Sequence, residues 1–493
     1  MPAFRSPRPA RVLAGALVVA SLTALAALPA HAAGAATEEI AVPPGGPGSV
    51  ALTILGGATA VVREIRSALV PAGESVLAFP DVPDAADAAS VRLAPADGGG
   101  GLTVLERALA ADVPSLQRLL ALSVGREIGV LLHDQGEGAP PRRVPATVVS
   151  VAEDVVLEME GRIHVGLPGE PVFDALPPEL RATPTLLATV DSAAAGARDL
   201  ALTYLTGGLA WRADYTLDLT GAADRAALSG WATVTNTSGR SFRGARLTLA
   251  AGEVAVETDK RGGGAEATMM RADMAMAAPM PPVPEAEAQG GLHFYPVERP
   301  VSLAHRQTRQ VALVDAPDVA VTPRHVVPPA RYGVYANAQV DDETVNARRQ
   351  LVLRNTAEDG LGRPLPAGTV RVWQPGPDGA PRFLGADRTP HVAVGGEAAL
   401  DLGTDFDVTA ERRRTDFRRI GERVTETDHE IVVRNAKPER AVSVTVEAEL
   451  PGEWTILDES HPHARVNAGR VAWTMEVPAD GETRLTYSVR TRF

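Results

Sequence analysis

Apolar and polar residues alternate in short runs along most of this chain, the two-residue period of half-buried strands. Val50, Leu52 and Ile54 carry it first, then Val61, Val62 and Ile65, with Gly56-Gly57 as the turn between them. A turn at Pro71-Ala72-Gly73 leads into a strand through Phe79, and the Ala-, Asp- and Gly-rich residues 84–101 read as a loop. Over 103–123 the period changes. Leu105, Leu109, Leu116, Leu119, Leu120 and Leu122 recur mostly every three or four residues, which predicts a helical stretch broken or kinked at Pro114 and ended by Gly125. Short strands at Ile128–Leu132, Ala146–Val151, Val155–Met159 and Ile163–Val165 then predict a small SH3-like barrel. From residue 184 onward every segment reads as β, with Asn, Gly, Asp and Ser turns between strands, the spacing of sandwiches rather than βαβ units.

A repeat is visible within this β region. Three alternating strands end in asparagine: Trp231–Asn236, Leu351–Asn355 and Ile431–Asn435. Further on, two of them reach a Gly-Glu turn that enters another strand, Gly396-Glu397 and Gly481-Glu482; Gln307-Thr308 stands in the matching place of the first. The first copy is longer by a low-complexity insert at 258–290. Each Asn has a local explanation: its side chain bonds the backbone two residues on and turns the chain out of the strand. A binding role for these asparagines is the sharper reading and the one less favoured. The expected class is therefore mainly β: tandem Ig-like β-sandwich modules, preceded by a small β-domain with one helical stretch and by the SH3-like barrel. The expected divisions are 40–123 for the N-terminal β-region, 124–180 for the barrel, and 181–330, 331–410 and 411–493 for the three modules.

The first 32 residues read as an export signal rather than as fold. Arg5, Arg8 and Arg11 precede an apolar run from Val12 to Leu28, and Ala30 and Ala32 supply the small-x-small cleavage pattern. The run is shorter than the roughly 20 residues of a spanning helix. Removing it lowers the formal charge by three, from −13 to −16. So acidic a chain is a poor partner for nucleic acid or anionic lipid. Cysteine is absent, which excludes disulfide staples, thiolate zinc sites and a lipoprotein anchor. The expected location is thus the periplasm or the outer-membrane or cell surface. The expected partner is an envelope protein or a surface polysaccharide.

Candidate chemistry is sparse. The nucleophile elbow, the phosphate loop and the HExxH zinc motif are all missing, and no cofactor is implied. Asp405-Phe406-Asp407 would put two carboxylates on one strand face, a pair able to do acid/base work or hold Ca²⁺. The plainer expectation is a strand-end turn with Phe406 pointing inward. His461-Pro462-His463 and Asp428-His429-Glu430 are the densest histidine sites, though without a third metal ligand. Met269, Met270, Met274, Met276 and Met280 crowd the insert, where thioethers could bind Cu(I) or dock a partner, or serve only as linker. Arg412, Arg413, Arg414, Arg418, Arg419 and Arg423 interleave with acids and read as a solvated strand face before they read as a polyanion site. The five tryptophans are assigned to sandwich cores ahead of sugar platforms. The C-terminal alternation ending at Phe493 resembles an outer-membrane barrel signal, but aromatics at 4% are too few for barrel girdles.

The stretch Leu202-Thr-Tyr-Leu-Thr-Gly-Gly-Leu-Ala-Trp-Arg-Ala-Asp-Tyr215 resembles a bacterial family, domain of unknown function 4139. So do Trp231 through Gly239, Leu361–Trp373, Leu402–Asp407 and Arg434-Asn435. A similar domain ends the mucoidy-inhibitor-type proteins, which implies a link to the cell surface without a mechanism. The motif residues Tyr204, Gly208, Trp211, Tyr215, Trp231, Asn236, Gly239, Asn355, Gly362, Pro364, Pro366, Gly368, Asp407 and Asn435 are read as structural, and the resemblance supplies no catalytic residue. The leading expectation is a non-enzymatic exported interaction or scaffold protein. An enzyme or accessory acting on surface polysaccharide and a copper-handling protein are the alternatives.

Overall fold

The computed structural model describes residues 39–133, 141–177, 179–221, 224–254, 286–329 and 343–493. The expected signal sequence and the methionines 269–280 lie outside them. Among the described residues the chain is mainly β, with one α-helix of seven residues, Leu116–Leu122, and one 3-10 turn, Ala88–Ser90. No helix among them is long and apolar enough to cross a membrane.

Four sheets form. A four-stranded sheet joins Glu39–Ala41, Gly73–Pro80, Thr185–Ser192 and Leu102–Ala110. An eight-stranded sheet carries Thr59–Val70 between Val50–Ile54 and Gly196–Gly207, and Phe242–Ala251 on the far side of Val50–Ile54. A five-stranded antiparallel sheet covers 127–172 and has its own core of Leu120, Ile128, Val130, Ala146, Val148, Leu157 and Met159. The fourth sheet, of thirteen strands, runs from Pro381–Thr389 at one edge to Glu453–Glu459 at the other.

The helix expected over 103–123 is corrected. Leu102–Ala110 is a strand paired along Thr185–Ser192, and the helix begins only after Pro114, where Ser115 caps it by accepting the Arg118 N–H. Leucines spaced every three to four residues fit either element over so short a run, and the waiting partner strand decides. The helix also belongs to the five-stranded unit, because Leu120 sits in that core. The Arg181 N–H donates to the Asp112 carbonyl at 3.0 Å, so 113–180 is an insertion whose two ends touch.

The other expected divisions do not fall where the cores do. One hydrophobic cluster runs from Val42 to Leu402 and joins the N-terminal region to most of the two following modules. A second runs from Val327 to Val489. Two long strands, Gln307–Val327 of 21 residues and Glu397–Gly421 of 25, pass from the first cluster into the second. The expected boundary at 410/411 therefore lies inside a continuous strand. The end of the expected low-complexity insert is also ordered, as the short strand Glu287–Gln289.

The repeat has a geometric basis. Each of the three asparagines is buried at a strand end, beside the start of the partner strand: Asn236 opposite Gln307, Asn355 donating its N–H to the Gly396 carbonyl, and Asn435 opposite Gly481. Each side-chain amide donates to backbone carbonyls of neighbouring segments: Arg240 and Leu303; Arg363, Val392 and Ala393; Arg440, Val477 and Pro478. The expected bond to the backbone two residues on is present at Asn236, to Ser238, and at Asn435, to Lys437. At Asn355 it is absent, and its Oδ1 has no protein partner.

Candidate functional site

The two long strands bring together the densest polar cluster at the passage between the cores. His325, near the end of the first, is buried, and its Nε2–H donates to Asp405 Oδ2 of the second at 2.9 Å. Lys437, two residues past the third repeat asparagine, reaches back to Asp405 Oδ1 at 3.0 Å and Asp407 Oδ2 at 3.2 Å. The Asp407 N–H also donates to Asp405 Oδ1, and Asn346 donates to the Asp405 carbonyl. Four chain segments thus converge on Asp405, three at its carboxylate and Asn346 at its backbone carbonyl.

The electrostatics follow from that geometry. Burial pushes the Asp405 carboxyl up, but the bonds from Lys437, the Asp407 N–H and His325 outweigh it and hold the group below the usual carboxylate range. Burial also depresses the His325 imidazole, against the pull of Asp405, and Lys437 and Arg440 add to the depression. The ammonium of Lys437 occupies the position between the two carboxylates that a divalent cation would need, so the Ca²⁺ reading of Asp405 and Asp407 finds no support. The cluster is a lock of ion pairs rather than a pair of carboxylates facing a cleft.

Phe406 corrects the sequence reading. It points outward and is 92% exposed. Strand alternation requires this once Asp405 faces inward to His325. Phe383, on the edge strand Pro381–Thr389, is also exposed and packs on Trp373 with ring centroids 5.0 Å apart.

The remaining candidates are tied into the fold. His463 Nδ1–H donates to Glu459, which also accepts the Trp473 Nε1–H, while His461 bonds Ser460. His429 stacks on Tyr487, which stacks on the fully buried Trp473. Among the described residues no group of three potential ligands could hold a metal ion. Of the basic stretch, Arg412 is buried and donates to the Pro328 carbonyl, Arg413 pairs with Glu430, and Arg418 pairs with Asp416 and Asp428. Trp473 is the one tryptophan fully inside a core, while Trp211 and Trp454 pack against core edges.

Several of the motif residues make contacts between strands and turns. Tyr204 donates to Glu64, Trp211 to the Ala250 carbonyl, and Tyr215 to the Pro366 carbonyl, while the Pro364 carbonyl accepts from Tyr295. Gly208 has φ +78°, and a Cβ there would lie 2.7 Å from the Ser238 Cα. Gly368 lies against the neighbouring strand, where a Cβ would be 2.4 Å from the Ala213 carbonyl oxygen. The Gly239 N–H donates to His305, Trp231 is half-buried opposite Asp214, and Gly362 lies in the connection between Asn355 and Pro366.

Sequence reasoning missed a second cluster. Glu64 is buried between Arg66 and Arg240, accepting from Arg66 Nε at 3.1 Å and Arg240 Nη1 at 2.5 Å, with Tyr204 at 2.6 Å. Arg66 continues to the carbonyls of Val42 and Pro80. The signal was available: Glu64 and Arg66 stand in phase with the inward-facing Ala60 and Val62 of their strand. Charges in the buried phase must be paired. His325 and Lys437 gave no such signal, because their partner lies far along the chain.

The family model described as Domain of unknown function (DUF4139) matches residues 200–493. No curated protein matches the chain.

Proposed function

Because the chain belongs to the DUF4139 family, which is named for the lack of an assigned activity, we propose its role from its own architecture: a non-enzymatic interaction or scaffold protein of the cell envelope. The observation that carries this reading is the pair of strands running unbroken through two cores, with Phe406 held outward where they pass from one to the other. An exposed phenylalanine between two aspartates anchored by Lys437 and His325 costs little entropy to present, which is what a contact residue needs. The export signal at 1–32 supports the envelope location.

Fractionation of cells expressing a C-terminally tagged protein tests it, with protease added to intact cells. A tag that is shaved off makes the protein a surface component and an exopolysaccharide or capsule the partner to test. Protection in a periplasmic fraction directs the search to periplasmic partners. Recovery in the cytoplasm at full length overturns the reading, and so does turnover of an envelope polymer by the purified protein.

A further inference from the structure

We propose that the His325–Asp405–Lys437 cluster makes the passage between the two cores an acid-sensitive joint, firm at neutral pH and loosened when His325 takes up a proton. The argument starts from placement. His325 and Asp405 lie on the two long strands at the point where each leaves the first core and enters the second. Asn346 and Lys437 add the strand Glu343–Arg354 and the turn after Asn435. The segments that meet at this point are thus fastened to one residue, His325 and Lys437 at the Asp405 carboxylate and Asn346 at its backbone carbonyl.

The charges that face His325 come from all of these elements. Asp405 bonds it directly. Lys437 sits on the other oxygen of that carboxylate, and Arg440 adds a second cation at longer range. Arg349 is its cross-strand neighbour, with one N–H donated to the Leu384 carbonyl. Asp407 is engaged by Lys437. With neutral imidazole the set around Asp405 is satisfied: the ring gives one N–H, Lys437 gives its ammonium, and Asp405 and Asp407 carry the negative charge. An imidazolium would place a further cation beside Lys437, Arg440 and Arg349 on a ring that is itself buried.

The sign follows. A histidine held neutral by burial binds fewer protons in the closed joint than in an opened one. Its contribution is complete above the ordinary histidine value near 6.5 and is lost progressively as pH falls below it. Asp405 is held ionised, so its own contribution fails only below the ordinary carboxylate value of 3.8. The His325 window opens at higher pH than the Asp405 window. His429, in the second core, titrates in a window that overlaps that of His325, so global unfolding alone would not distinguish them.

The test is hydrogen exchange of the full chain at pH 7.0 and 5.5, corrected for the intrinsic pH dependence of exchange. Protection of the amides in 321–327 and 402–408 should fall several-fold, up to about eightfold, in the wild type, while the first-core strand Gly196–Gly207 is unchanged. His325→Gln keeps an N–H for Asp405 without a proton to gain, and its protection should be the same at both values. Equal pH dependence in wild type and His325→Gln would overturn the proposal. If that variant does not fold, NMR titration of the wild-type imidazole decides: a midpoint at or above that of a free histidine overturns it, and one clearly below supports it.

Discussion

Two buried side chains show how much a single residue controls here. Glu64 is the one carboxylate between the guanidiniums of Arg66 and Arg240, and all three are almost wholly buried. Replacing it with glutamine leaves Arg66 without a counter-charge and Arg240 with only the exposed Asp81 at 3.4 Å, so Glu64→Gln should cost about 3–5 kcal/mol, read as a lower urea midpoint with an unchanged slope. His429 behaves differently. Burial depresses it to about 4, with a further push from Arg414 against the pull of Asp428. Its folded value lies below the unfolded one, so it contributes fully above pH 6.5 and loses that contribution as pH falls towards 4. The loss is on the order of 3 kcal/mol. Melting curves across pH 7 to 4 should be less steep in pH for His429→Gln than for wild type; parallel profiles would assign the acid loss elsewhere.

Among elements, the tight turn between the strands Gly196–Gly207 and Leu209–Leu219 is closely constrained. Gly208 combines a left-handed φ of +78° with the backbone of Ser238 where a Cβ would go. Gly57 has a similar φ, +75°, but open space around it. Gly57→Ala therefore meets only the left-handed penalty, about 1–2 kcal/mol, whereas Gly208→Ala must also push a neighbouring strand end aside. Urea midpoints should rank wild type, Gly57→Ala, then Gly208→Ala, with the second step at least as large as the first. The strands Glu397–Gly421, Val424–Asn435 and Gly481–Arg492 are laced by cross-strand pairs, Arg434 with Glu411 and Glu482, Arg413 and Arg484 with Glu430. Exposed pairs of this kind contribute little to stability. Within the basic stretch that the sequence displays, Arg413 is engaged by Glu430 and Arg418 by Asp416 and Asp428.

At the scale of the whole molecule, the 200–493 segment matched by the family is not a self-contained body. Gly196–Gly207 needs Thr59–Val70 beside it, Phe242–Ala251 needs Val50–Ile54, and the Tyr204 hydroxyl needs Glu64. Expressed alone, 200–493 should aggregate or expose its first core to a hydrophobic dye, while 39–493 should not. The five-stranded unit is the reverse case, since its core is its own and its ends meet at Asp112 and Arg181. A chain with 113–180 replaced by a short Gly-Ser linker should keep a cooperative melt within a few degrees of the full-length chain, which calorimetry would show.

Local chemistry was enough for much of this. The two-residue alternation marks the strands, the three strand-ending asparagines mark the repeat, and the Tyr204–Tyr215 motif marks the family, because each is written in neighbouring residues. The sequence could not decide which partner a strand meets. Leu102–Ala110 carries a helical spacing and becomes a strand because Thr185–Ser192 lies alongside, and Phe406 turns outward because His325, 80 residues away, claims Asp405. Pairing across such distances is set by which buried groups satisfy one another once the chain has closed, and a single chain of letters does not record that closure.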